Sequence, residues 1–162
     1  MDFELKPISH QGVAEALEKV DRYRLLKEPS LAESICLDVL LVEPGNQRAL
    51  VMLLLSLTDQ FGQGVDPEHA REILPKLKND YERAYYEGII HERQAYALLR
   101  QRSPSAPDAF RKAMTCYEQA EHLRPTRNDD AILRWNTCAR VLMRNPNLRA
   151  GTDEEREAVQ GE

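Results

Sequence analysis

One spacing of small, bulky and proline residues occurs twice in this sequence and limits what the chain can fold into. In each copy an alanine is followed four residues later by a bulky side chain, and a proline follows eight residues after that. The small residue lets two helices approach closely, the bulky one fills the space between them, and the proline prevents the helix from continuing. The two copies are Ala32, Cys36 and Pro44, and Ala113, Tyr117 and Pro125. The spacing predicts an all-α fold of closely packed helix pairs.

The rest of the chain repeats helical signals and lacks strand signals. There are no alternating β-branched runs and no Asn-Gly or Asp-Gly turns. Capping boxes are predicted at Ser30–Glu33 and Ser105–Asp108, and Asp66 with Pro67 predicts a capped start for a helix that Pro75 kinks or ends. Apolar periodicity places helices at about residues 11–26, 30–42, 46–61, 67 onward, 80–102, 106–123 and 129–144. The third is so apolar that we expect it to be covered on more than one side.

Length and composition predict one soluble domain over residues 1–162, with a core over about 11–144 and a flexible or loosely docked tail over 145–162. The formal charge of −5 gives no general attraction to phosphate backbones or anionic lipids, so we expect no nucleic acid or membrane partner. The longest apolar run, Ala49–Leu55, is far shorter than the ~20 residues of a membrane span. The first residues show no signal-peptide pattern, so we expect a cytoplasmic protein.

Motifs for catalysis or metal binding are missing from the sequence. The three cysteines form no CxxC, and no GxGxxG, P-loop, GxSxG or HExxH occurs. His91 with Glu92 and Glu118 with His122 bring titratable groups together, but a solvated pair on a helix surface is the favoured interpretation of each. Three tyrosines in residues 81–86 are interpreted as packing between helices rather than as a ligand platform. We therefore expect no enzyme, no cofactor and no metal.

The repeated spacing resembles the second helix of a tetratricopeptide repeat, which carries alanine, an aromatic residue four later and a closing proline. Trp135-x2-Cys138-Ala139-x2-Leu142 is similar to the W-x2-L-G-x2-Y pattern of its first helix, and weaker versions begin at Leu50, Ala84 and Ala16. The two prolines are 125 − 44 = 81 residues apart, two 34-residue units plus thirteen, so the array is irregular. The resemblance implies a right-handed superhelical stack of antiparallel helical hairpins, about three repeats with a C-terminal capping helix. An unrelated closed bundle stays the alternative.

Stacks of this family grip a peptide or a helix of another protein on their concave side, so the resemblance implies a non-catalytic adaptor or scaffold. The residues expected to face that groove lie on three helices: Arg48, Val51 and Leu55, then Tyr85, Ile89 and Glu92, and finally Asn136 and Arg140. Asn136 and Arg140 are one turn apart, and they supply an amide for main-chain groups and a guanidinium for a carboxylate. An ordinary polar face is the alternative interpretation of this pair.

Some family members hold a chaperone's C-terminal carboxylate with basic and amide side chains, but Leu17 and Asp21 stand at those positions here, so we do not expect that ligand. Arginines cluster over residues 124–149, where a solvated surface is favoured over a basic face for an acidic peptide.

The alternative function is a structural assembly subunit that homodimerises through the third helix or an uncovered end of the stack.

Overall fold

The computed structural model describes residues 2–146 and 148, and within them the chain is helical with no β-strand. The α-helices whose bounds lie within these residues are α1 (Val13–Leu25), α2 (Pro29–Val42), α3 (Gln47–Thr58), α4 (Pro67–Arg71), α5 (Asp80–Arg100), α6 (Ala106–Leu123) and α7 (Asp130–Arg144). Short 3-10 helices over His10–Gly12 and Leu74–Lys76 precede α1 and follow α4. The all-α prediction is confirmed, and the predicted helix positions agree with the observed ones to within a few residues.

The described chain forms two compact units that divide between Lys78 and Asn79. The first unit contains α1 to α4, and the second contains α5 to α7. The prediction of one domain over residues 1–162 stays a prediction. The predicted tail over 145–162 falls almost entirely outside the described residues.

The first unit is built from consecutive helices that pack on one another, α1 on α2 and α2 on α3. Its core includes Val13 and Leu17 of α1, Val39 of α2 and Ala49 of α3, all buried. Buried residues recur every three or four positions on α1 and on α2, so each of these two helices buries one stripe of side chains. The predicted periodicity of α1 corresponds to the core at Val13, Leu17 and Val20, whereas Leu26, which continues it in the sequence, is exposed beyond the helix end.

Helix α3 is the most completely covered helix of the first unit. Eight of its twelve residues are buried, namely Ala49, Leu50, Met52, Leu53, Leu54, Ser56, Leu57 and Thr58. The buried Ser56 hydroxyl donates to the Met52 carbonyl at 2.7 Å, which satisfies it without a partner from another helix. The prediction that α3 is covered on more than one side is confirmed.

Helix starts agree with the sequence only in part. Asp66 caps α4 by accepting from the Glu68 amide at 2.9 Å, as predicted, and α4 ends before Pro75. The capping box at Ser30 is wrong, because Pro29 takes the first helical position and moves the start of α2 upstream. Ser105 does precede α6, but its side chain makes no cap bond, so only the boundary was predicted correctly.

The second unit is centred on the antiparallel hairpin of α5 and α6. Gly88 of α5 is buried, and a Cβ atom at that position would lie 2.5 Å from Cε1 of Tyr117 on α6. This is closer than real Cβ contacts, so the absence of a side chain at Gly88 is what lets the Tyr117 ring lie against α5. Further along the hairpin, the rings of Tyr96 and Phe110 meet edge to face with centroids 5.1 Å apart.

The repeated spacing occupies equivalent places in α2 and α6. Ala32 and Cys36, like Ala113 and Tyr117, are fully buried. Each closing proline stands two residues beyond the last helical residue, since α2 ends at Val42 and α6 at Leu123. Small, bulky and terminating residues thus have the local roles that the spacing predicts in both units.

Candidate functional site

Helix α7 packs against its unit through one face, and its other face is exposed among the residues that the structure describes. Ala131, Cys138 and Leu142 are its buried residues, and they form a stripe along one side. Trp135 Nε1 donates to Glu118 Oε1 of α6 at 3.0 Å and so limits the rotation of α7 about its axis. These contacts determine which residues of α7 point outward.

A buried carboxylate connects α7 to α5. Glu92 of α5 is 1% exposed, and both of its oxygens accept bonds from α7. Arg134 Nη1 donates to Oε2 at 2.9 Å, and the Cys138 thiol donates to Oε1 at 3.3 Å. A buried charge is tolerated where an opposite charge and hydrogen bonds replace its hydration, and Glu92 receives both.

Burial and the Glu92 charge shift the pKa values of the groups around this carboxylate. Burial lowers the pKa of Arg134, but the Glu92 carboxylate and the Tyr85 hydroxyl, which accepts from the guanidinium, raise it above its ordinary value overall. Burial, and after it the Glu92 charge, raises the pKa of the Cys138 thiol. A thiol that stays protonated is a poor nucleophile, so Cys138 is suited to packing rather than to chemistry.

The opposite side of α7 forms a surface that we call the α7 outer face. It consists of Leu133, Asn136, Thr137, Arg140, Met143 and Arg144, which share one side of the helix at spacings of three and four residues. Leu133 and Met143 are each 61% exposed, and they stand on either side of Asn136 and Arg140. The surface therefore offers apolar groups at its ends and polar groups between them.

The arginines of this face differ from those nearby. Arg124 pairs with Asp129 at 2.8 Å, and Arg134 pairs with Glu92 at 2.9 Å. Arg140 and Arg144 form no ion pair with another described residue. Their charges are thus not neutralised within the part of the chain that the structure covers, and they can interact with an acid from another molecule.

The predicted groove residues of the second unit do not lie on one surface. Ile89 and Glu92 are each 1% exposed, and Tyr85 is partly buried and bonded to Arg134, so these side chains belong to the interior or its edge. Asn136 is partly exposed and Arg140 is exposed. At 100° per residue both point away from Cys138, which faces Glu92. We therefore leave Ile89 and Glu92 out of the binding surface.

The predicted groove residues of the first unit share one face of α3. Arg48 is exposed and donates to Asp21 Oδ2 of α1 at 2.9 Å, while Val51 and Leu55 are partly buried one turn apart. The Asp21 carboxylate is thus the counter-charge of Arg48 within the first unit. The face is mainly apolar with an internally paired charge.

The two residue pairs considered as metal sites in the sequence, His91 with Glu92 and Glu118 with His122, do not form the group of metal-ligating side chains found in the structure. Glu118 accepts from Trp135, and Glu92 accepts from Arg134. The tyrosines of residues 81–86 pack on each other and on Tyr117, whose ring centroid is 5.8 Å from that of Tyr85. Among the described residues, the group of three or more metal-ligating side chains is Glu87, His91 and Cys116, on α5 and α6.

Comparisons with known proteins add no family to this description. No protein-family model, curated protein or solved structure matches the chain. The tetratricopeptide resemblance accordingly stays a prediction from residue spacing. Within residues 2–146 and 148, none of the helices combines the length and the apolarity that crossing a membrane takes.

Part of the α7 outer face was missed from the sequence. Leu133, Met143 and Arg144 complete the surface around Asn136 and Arg140, and their helical spacing from that pair would have identified them. The Arg134 to Glu92 pair had no comparable signal, because the two residues are 42 positions apart.

Proposed function

We propose that this chain is a non-catalytic, cytoplasmic protein-binding adaptor with tetratricopeptide-like helical hairpins, and that the α7 outer face binds a segment of another protein. That segment carries carboxylates for Arg140 and Arg144 and apolar side chains for Leu133 and Met143. The observation that supports the proposal is the combination, on one exposed helix face, of two arginines unpaired among the described residues and two exposed apolar side chains.

The expected energies assign different roles to the two kinds of group. An exposed ion pair contributes about 0.2–1 kcal/mol, whereas covering a side chain such as leucine or methionine contributes about 1.5–3 kcal/mol. The apolar ends of the α7 outer face therefore provide most of the affinity. The arginines and Asn136 select the charge and the orientation of the segment.

A defined peptide panel tests this proposal. Helical peptides of matched apolar content, carrying acidic, neutral or basic residues at the same positions, are titrated with the full chain by fluorescence anisotropy at two salt concentrations. We expect the acidic series to bind at least about 10-fold more tightly than the basic series, with a difference that shrinks as salt screens the charges.

Single substitutions locate the surface. Arg140→Ala should reduce the preference for acidic peptides. Met143→Ala should lower the affinity for all of the peptides by about 10-fold, because they share the same apolar content. Matched controls are Arg22→Ala and Leu25→Ala, an exposed arginine and an exposed leucine of the first unit. Equal binding of acidic and basic peptides, or equal losses from the control variants, would refute the assignment of the α7 outer face.

The α3 face of Arg48, Val51 and Leu55 is proposed as a further contact for an apolar segment. Leu55→Ala in the same titrations measures it. A loss of affinity that is the same for all charge series fits an apolar contact, and no loss would show that α3 does not bind the peptide.

A structural assembly subunit is the second candidate, and exposed leucines on α2 favour it. Leu37 and Leu41 are exposed one turn apart on the side of α2 away from Ala32 and Cys36. The apolar residues of α3 are mostly covered within the chain, so the homodimer contact is assigned to α2 instead. Light scattering at tens of micromolar, with Leu37→Glu/Leu41→Glu as the comparison, decides between a dimer and a monomer.

A further inference from the structure

Three side chains with different donor atoms meet on the hairpin of α5 and α6. Glu87 and His91 are one turn apart on α5, and Cys116 faces them from α6; one ligand atom of each lies within 4.8 Å of the other two. The Glu87 Oε1 to His91 Nε2 distance is 3.9 Å. Neither residue pair singled out from the sequence contains this combination of an oxygen, a nitrogen and a sulfur donor.

The backbone around the three residues is held by the closest contact of the hairpin. Gly88 follows Glu87 directly, Tyr117 follows Cys116 directly, and the ring of Tyr117 lies where a side chain at Gly88 would be. The separation of α5 and α6 is therefore determined at the level of the cluster. Donors supplied by packed helices are positioned more accurately than donors on loops.

The distances are close to those of a tetrahedral metal site. Zinc bonds of about 2.0–2.3 Å at tetrahedral angles separate ligand atoms by roughly 3.3–3.6 Å. Glu87 and His91 need to approach by about half an ångström from 3.9 Å, which small changes in side-chain torsions supply. No two of the three ligand atoms are more than 4.8 Å apart, so the widest pair must close by about 1 Å at most, mainly through movement of flexible side-chain ends.

We propose that Glu87, His91 and Cys116 bind a zinc ion and leave its fourth coordination position open. Thiolate and imidazole donors favour zinc and related transition metals over magnesium and calcium, which take oxygen donors. The Glu87 side chain is 46% exposed and that of His91 is 15% exposed, so an ion can enter from solvent. Water or a donor from a partner occupies the fourth position.

Binding competes with interactions that the free chain already has. Glu87 and His91 are close enough to form an ion pair when the imidazole is protonated, and His91 and Cys116 take part in further interactions within the chain. The ion replaces these interactions and the protons on the thiol and imidazole. The site uses no residue of the α7 outer face, so it is independent of the proposed peptide binding.

Metal titration of the full chain tests the site. The reduced protein, freed of metal by chelation, is titrated with zinc by calorimetry and with cobalt(II) by absorption. We expect one zinc per chain with a Kd of about 1 μM or below. Bound cobalt should show thiolate-to-metal charge transfer in the near ultraviolet and the strong visible bands of tetrahedral coordination.

Variants identify the ligands. Cys116→Ser should abolish the charge-transfer band and weaken zinc binding by more than about 10-fold, as should His91→Gln, with a smaller effect from Glu87→Gln. His122→Ala and Cys36→Ala are the matched controls and should leave both readouts unchanged. Circular dichroism without metal verifies the fold of each variant.

Three results would overturn the proposal. They are no zinc uptake by the native chain at about 100 μM metal, a cobalt spectrum without the thiolate band, and a loss in His122→Ala as large as that in His91→Gln. The cobalt spectrum of the native chain decides the question even where a variant fails to fold.

Discussion

The two units of this protein fill their interiors with different chemistry. In the first unit the largest fully buried side chains are aliphatic, including Leu54, Leu77 and Val20. In the second they include Tyr117 and Phe110 together with a carboxylate, that of Glu92. The buried polar groups of the first unit bond mostly to nearby backbone, whereas Glu92 depends on groups more than forty residues away.

This difference changes how each unit responds to substitution. Aliphatic cores accept changes that keep volume and pattern, because no single bond must be satisfied. A buried network with a charge depends on all of its members, since loss of one leaves another without hydration or a partner. We therefore expect the second unit to be the more sensitive one, and the following experiments test that comparison.

The largest effect is expected from Arg134→Met, which leaves the Glu92 carboxylate buried without its counter-charge. We expect the free energy of unfolding of the second unit to fall by about 3 kcal/mol. Trp135 is the single tryptophan of the chain and lies on α7, so its fluorescence during denaturant unfolding reports on this unit.

The control for that variant is Arg24→Met in the first unit. Arg24 pairs with Asp59 at 2.8 Å, with both side chains 22% exposed, so Asp59 regains water when its partner is lost. The expected cost is about 1 kcal/mol, measured by circular dichroism. Equal costs for the two variants would contradict the contrast between the units.

Gly88→Ala is expected to give the next largest effect. Alanine normally stabilises a helix interior by about 0.5–1 kcal/mol relative to glycine. Here the added methyl group meets the Tyr117 ring, which is confined between α5 and α6, and we expect a net destabilisation of about 2 kcal/mol. Gly45→Ala in the first unit is the matched control, because a Cβ there has nothing within 4 Å. A more stable Gly88→Ala variant would show that the ring moves aside freely.

The smallest effect concerns alkaline pH. Burial raises the pKa of Tyr117 above the ordinary phenol value of about 10, and it raises that of Tyr86 to about 12. Because the folded state holds these protons more tightly, their contribution to stability is complete below pH ~10 and is lost as pH rises above it. Each such tyrosine lowers the free energy of unfolding by up to about 1.4 kcal/mol for each pH unit in that range.

Tyr117→Phe separates this effect from general alkaline unfolding. Between pH ~10 and ~11 the free energy of unfolding of this variant should fall by about 1 kcal/mol less than that of the native chain. Denaturant unfolding followed by Trp135 fluorescence measures the difference. Burial also raises the pKa of Cys36 in the first unit to about 12, so Cys36→Ala should relieve a loss that begins nearer pH ~9. Identical pH profiles for Tyr117→Phe and the native chain would contradict the assignment.

Helix positions were the most predictable part of the fold. Apolar periodicity and prolines act within a few residues of where they occur, so α1 to α7 and the burial of Ala32 and Ala113 follow from the local sequence. The Ser30 cap failed because two local signals competed and Pro29 determined the start of α2. Lys27 and Arg102 end α1 and α5 with positive φ, a role that the sequence would normally signal with glycine.

Residues of the candidate site could be predicted only where the apolar pattern of their own helix shows which side is exposed. Asn136 and Arg140 are accessible because the rest of α7 has an apolar stripe opposite them. Glu92 was expected on a surface, since a charged residue is almost never fully buried unless paired, and the pairing with Arg134 depends on tertiary structure. Cys116 and His91 likewise come together only when α5 and α6 form their hairpin.

The contact between Gly88 and Tyr117 also has an evolutionary consequence. A ring at position 117 requires hydrogen at position 88, so a side chain gained at position 88 needs a compensating change at position 117. In descendants of this chain, a side chain larger than glycine at position 88 should appear only alongside a smaller residue at position 117. We therefore expect substitutions at the two positions to be correlated, although 29 residues separate them in the sequence (117 − 88 = 29).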